Sequence, residues 1–100
     1  MSPARTLAAC TSWIAQLNLL QCMELLAVPE SARLAVEQYL RKALGHDNKF
    51  VRAWAYNGFY LLARQYPDLR DEAQQIMEMG LRDEPAAVKA RIRTALKNPY

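Results

Sequence analysis

Arg52, Tyr56, Tyr60 and Arg64 stand at intervals of four in the middle of the chain, and Lys89, Arg93 and Lys97 repeat that interval near its end. On a helix, residues four apart drift by only about 40° and share one face. Cations in such a row contact carboxylates or phosphates, and Tyr adds rigid, amphipathic contact area. The row offers binding chemistry, and no comparable set offers catalysis. His46, the single histidine, adjoins Asp47 in a turn-forming stretch and reads as a loop residue rather than a general base. Cys10 and Cys22 have no C-x-x-C spacing, no nearby His to complete a metal set and no activating neighbour. Asp68, Asp71 and Glu72 fall at a helix start, where the macrodipole explains them. There is no H-E-x-x-H, no phosphate-cradling Gly loop and no Walker motif. The expectation is a protein that is not an enzyme and needs no cofactor or metal.

Helices must position these residues, and five can be read. The first spans about Arg5 to Leu26, with Leu7, Cys10, Trp13, Ile14, Leu17, Leu20 and Met23 on one stripe. The second, about 32–45, starts at Ser31 as N-cap, buries Leu34 (or Ala35), Val36, Tyr39, Leu40 and Leu44, and closes on Gly45. Asp47-Asn48 caps the third, about 49–66. Tyr66-Pro67-Asp68 stops it and opens the fourth, about 69–82; Asp83-Glu84-Pro85 opens the fifth, which ends near Lys97. In the third helix Val51, Ala55, Gly58, Phe59, Leu62 and Tyr66 form an apolar face, with Trp54 and Leu61 at its edge. The opposite face holds Arg52, Tyr56, Asn57, Tyr60 and Arg64 and is expected to meet solvent. Truncating Leu44 or Leu62 to Ala is expected to cost about 2–5 kcal/mol, as buried Leu generally does.

Residues 31–60 and 68–97 superpose without a gap at an offset of 37. Tyr39-Leu40 falls on Ile76-Met77, Ala43-Leu44 on Gly80-Leu81, and Val51-Arg52-Ala53 on Val88-Lys89-Ala90. A period of this size with two helices per unit is the signature of a solenoid. The offset carries Arg52, Tyr56 and Tyr60 onto Lys89, Arg93 and Lys97, so the cationic and aromatic row is expected to run across two neighbouring helices on the inner surface.

Composition sets the bounds. With 52% hydrophobic and 23% charged residues over 100 positions, the chain is expected to fold as a single domain, 1–100. Within it, 5–27 is a leading helix, 31–66 a first repeat and 68–97 a second. A net charge of +3 is too weak by itself to imply nucleic acid. Leu7-Ala8-Ala9-Cys10 has the look of a lipidation site, but Ser2, Pro3, Arg5 and Thr6 break the apolar stretch such a signal needs. No run approaches the roughly 18 apolar residues of a membrane span. The cytoplasm is the expected location, with no membrane association.

Leu44-Gly45-His46-Asp47-Asn48-Lys49-Phe50-Val51-Arg52-Ala53-Trp54-Ala55 resembles a HEAT repeat, and the armadillo-like helical arrays more broadly. Leu81-Arg82-Asp83-Glu84-Pro85-Ala86-Ala87-Val88-Lys89-Ala90 is similar to the same pattern, with Lys89 in place of Arg and acids at both 83 and 84. The resemblance covers residues 31–97. It implies an all-α fold, a short right-handed α-solenoid of antiparallel helix hairpins with about two and a half units and five helices. It also implies a structural ladder between units built from Asp47, Arg52, Glu84 (or Asp83) and Lys89. The function expected is a non-enzymatic interaction or scaffold module that binds a protein or peptide of acidic character through its inner surface. Nucleic acid held by the basic and aromatic row is the alternative. The apolar stripe of the first helix adds an expectation of self-association.

Overall fold

The computed structural model describes residues 13–22 and 27–97. They form five α-helices, which we number α1 (Trp13–Cys22), α2 (Arg33–Ala43), α3 (Lys49–Gln65), α4 (Arg70–Asp83) and α5 (Ala86–Leu96). Short 3₁₀ turns, Glu30–Ala32 and Pro67–Leu69, lead into α2 and α4, and no strand occurs among the described residues. Leu7, Cys10 and Met23 of the expected first stripe lie outside the described residues, as do the side chains of Trp13 and Ile14.

The repeat read from sequence recurs in the element boundaries. The two 3₁₀ turns begin at 30 and 67, α2 and α4 at 33 and 70, and α3 and α5 at 49 and 86, each pair 37 apart. Burial follows the same register: Leu40 with Met77, Ala43 with Gly80, Val51 with Val88 and Ala55 with Ile92 are buried in both halves. The halves differ at one end. α4 runs on to Asp83, past the position equivalent to the end of α2, so the link to α5 is only residues 84–85.

Local chemistry accounts for the starts and stops, with three departures from expectation. Asn48 caps α3 as expected: its Oδ1 accepts from Phe50 N at 2.8 Å and Val51 N at 3.4 Å. Ser31 does not cap α2, because Pro29 starts a 3₁₀ turn that already contains Ser31. Gly45 is not a left-handed cap, since no glycine has positive φ; α2 instead closes with Gly45 N to Lys42 O and His46 N to Ala43 O, both 3.1 Å. Asp68 lies inside the second 3₁₀ turn and caps nothing with its side chain.

The helix α3 packs against α1, α2, α4 and α5, and α4 also packs on α5. Two apolar clusters meet α3 from opposite sides. One gathers Leu20, Leu40, Val51, Ala55, Phe59, Leu62, Leu69 and Ala73; the other gathers Ala53, Tyr56, Tyr60, Met77, Val88 and Ile92. On α2 the buried residues are Glu37, Leu40 and Ala43. Leu34, which is 65% exposed, and its alternative Ala35 both lie off that face, contrary to expectation, and Val36, Tyr39 and Leu44 are half-buried. The Tyr39 hydroxyl is buried with no hydrogen-bond partner among the described residues, and burial raises its pKa.

Gly80 marks the closest approach of α4 to its neighbours. A Cβ there would stand 2.5 Å from Ile92 Cδ1 and 2.8 and 3.0 Å from Tyr56 Cε1 and Cζ. Ile92 is fully buried, and the Tyr56 ring is buried with its hydroxyl tied to Glu84. Gly80→Ala is therefore expected to destabilise the fold by about 1–2 kcal/mol, overpacking outweighing the gain of about 1 kcal/mol in helix propensity. A urea midpoint at or above that of the native chain would contradict this close approach.

Candidate interaction surface

Two residues of the expected row are not on the surface. Tyr56 and Tyr60 are each 2% exposed and belong to the cluster shared with α5. The reason is the position of α3. A helix flanked by four others has no solvated side over these turns, and the face opposite its apolar stripe is covered by α4 and α5. Asn57, on the same face, is buried as well. Arg64, Arg93 and Lys97 are exposed, and Arg52 and Lys89 are half-buried.

Arg52 belongs to a junction between α3 and the link from α4 to α5. Its Nε donates to both oxygens of Glu84 at 3.1 Å, while Nη1 donates to His46 O at 2.8 Å and Asp47 O at 3.0 Å. Tyr56 donates its hydroxyl to the same Glu84 carboxylate at 2.9 Å. Burial, then that hydrogen bond, pushes the Tyr56 phenol above its ordinary pKa. Of the four residues expected to form a ladder, Arg52 and Glu84 meet directly. Asp47 contributes its main-chain carbonyl rather than its carboxylate. Lys89 makes no ion pair among the described residues, and Asp83 pairs with its neighbour Arg82 at 3.3 Å instead. His46 keeps to the loop, where its Nδ1 accepts from Asn48 N at 2.9 Å.

Charge divides unevenly among the helices. Within their bounds α3 and α5 carry Lys49, Arg52, Arg64, Lys89, Arg91 and Arg93 and no acid, and Lys97 follows directly. Arg52 is matched by Glu84, and the Arg91 guanidinium lies 4.1 Å over the Trp54 ring. Arg64 lies 5.7 Å over the ring of Tyr60, which ties it to the cluster beneath α5. Lys89, Arg93 and Lys97 follow one another at intervals of four along α5, and none forms an ion pair among the described residues.

The arginines of α2 are met by carboxylates on α2 itself, on α4 and in the turn before α4. Arg33 and Arg41 pair with the buried Glu37 at 3.0 and 3.2 Å, Arg41 reaches Glu72 at 2.9 Å, and Arg33 also pairs with Asp68. The Arg33 guanidinium lowers the pKa of Asp68. The stabilisation from that pair is thus present at neutral pH and lost as pH falls through the lowered value. Sequence reasoning missed this network, although the spacing of Arg33, Glu37 and Arg41 is the four-residue interval of helix ion pairs. It also missed Gln65, which accepts from Val28 N at 2.9 Å and donates to Val28 O, clasping the α1–α2 link against the end of α3. Tyr66 donates to the same carbonyl.

Among the described residues, no three His, Cys, Asp or Glu gather as a metal site, and no helix is long and apolar enough to cross a membrane. Cys22 is an exposed free thiol. No protein-family model, curated protein or solved structure matches the chain.

Proposed function

We propose that this chain is a short α-solenoid of HEAT-like hairpins acting as a non-enzymatic interaction module, and that it takes an acidic segment of a partner protein on the exposed cations of α3 and α5. The solenoid reading draws on the shared 37-residue register of the two hairpins and on the packing of α3 between α1 and α5. The observation that carries the functional reading is charge: α3 and α5 hold six cations between them and no acid, while α4 holds Asp71, Glu72, Glu78 and Asp83. A surface with one sign of charge steers and selects partners of the other. A protein partner is favoured over single-stranded nucleic acid because the two tyrosines that would have stacked on bases are buried.

Binding of a fluorescein-labelled polyglutamate peptide, followed by anisotropy, tests the reading. Arg64→Glu combined with Arg93→Glu is expected to weaken binding at least about tenfold, or about 1.4 kcal/mol, with helicity unchanged. Unaltered affinity in the double variant would contradict the assignment. So would a preference for duplex DNA with a steep fall in affinity as salt rises.

A further inference from the structure

The junction between α3 and the α4–α5 link contains a seat for one carboxylate, and the repeat places a second such seat on the open side of α5. In the first, Arg52 and Tyr56, one turn apart on α3, hold the carboxylate of Glu84, the residue just past the last turn of α4. That carboxylate lies between the negative end of α4 and the positive end of α5, with Arg52 as its counter-ion. Ala53 is buried beside the seat. The 37-residue shift from α3 to α5 carries Arg52 to Lys89, Ala53 to Ala90, Tyr56 to Arg93 and Tyr60 to Lys97. The spacing and the helix face are preserved. Exposure is not: Ala90, Arg93 and Lys97 are exposed and Lys89 is half-buried, with no carboxylate paired to any of them among the described residues.

We infer that this face of α5 receives an acidic helix from a partner protein, with one carboxylate just past that helix's last turn seated between Lys89 and Arg93. The inference rests on the interaction-module reading and specifies its partner. Two features favour a helix end. The geometry is the one α3 already uses for α4, and Ala90 at the centre leaves room for close approach. Replacing Tyr56 by a second cation raises the demand for negative charge at the seat. A second copy of this chain is disfavoured, since its own Glu84 carboxylate is already held by Arg52 and Tyr56.

The test uses the full chain and two fluorescein-labelled, alanine-rich helical peptides with glutamates along one side. One carries Glu immediately after the last turn, its twin Gln. The Glu peptide is expected to bind about fivefold or more tighter than the twin. Lys89→Ala and Arg93→Ala should each remove that difference, while Arg82→Ala, on an exposed cation of α4, should keep it. Circular dichroism on each variant establishes that the fold is intact. Equal binding of the two peptides, or a difference that survives in both seat variants, overturns the inference. Displacement of the peptide by an equimolar DNA duplex, or by self-association of the chain, overturns it in favour of those occupants. If both peptides bind equally yet lose affinity in Arg64→Glu/Arg93→Glu, the seat fails and the interaction module stands. If neither binds, both fall.

Discussion

Phe59→Ala is expected to destabilise the protein by about 3–5 kcal/mol, the largest single effect among the described residues. Phe59 is fully buried on α3 among Leu20, Leu40, Val51, Leu62 and Ala73, so its ring fills the space where α1, α2 and α4 converge. Truncation removes the transfer free energy of the ring and leaves a cavity walled by three other helices, which cannot close together without losing their contacts elsewhere. The Arg41 guanidinium also loses the ring 5.6 Å beneath it. Leu62→Ala should cost about 2–5 kcal/mol, and Leu44→Ala less than that, because Leu44 is only half-buried. Urea denaturation with an unchanged slope would measure each loss. A cost below about 1 kcal/mol at Phe59 would mean that α3 is not the central helix.

Glu84→Ala is expected to cost about 2–3 kcal/mol. The substitution removes the acceptor shared by Arg52 and the buried Tyr56 hydroxyl, with the Arg52 and Glu84 side chains 21% and 12% exposed. Arg52 keeps two main-chain carbonyls, which limits the damage. The Tyr56 hydroxyl loses its acceptor beneath α4 and α5, and an unmet buried donor costs about 1–3 kcal/mol. Glu84→Gln should cost clearly less, since an amide oxygen can still accept one of these bonds. Equal midpoints for native chain and Glu84→Ala would show that the junction adds nothing to stability.

What could be read from the sequence followed from how locally each feature is encoded. Helix starts are set by a few neighbouring residues, so Asn48 was legible as a cap and Pro85 as a helix opener, though Pro85 is the N-cap of α5 rather than its first residue. The 37-residue register of α3 and α5 was legible too. The apolar face of α3 followed from its own periodicity, and Val51, Ala55, Phe59 and Leu62 are buried as expected. Tyr56 and Tyr60 were misplaced because an amphipathic pattern reveals a strong core face but not whether a weaker face is also covered. Tyr is compatible with either environment, and only the docking of α5 decides. The repeat itself contained a hint: a position that is Tyr in one unit and Arg or Lys in the next differs in environment between units. Glu37 was missed for the opposite reason, since an acid suggests solvent until Arg33 and Arg41 are placed on either side of it.

The central claim is that an acidic partner binds the α3–α5 side, and amide chemical-shift mapping tests it most directly. The ¹⁵N-labelled chain would be titrated with a polyglutamate peptide at low salt, and each shifted amide placed on the structure. The predicted result is a set of shifts concentrated at Arg64, Lys89, Arg93 and Lys97 and their neighbours, saturating together and reversed by added salt. Shifts centred on α2 and α4, where Arg33 and Arg41 already have their carboxylates, or no saturable shift at all, would contradict it.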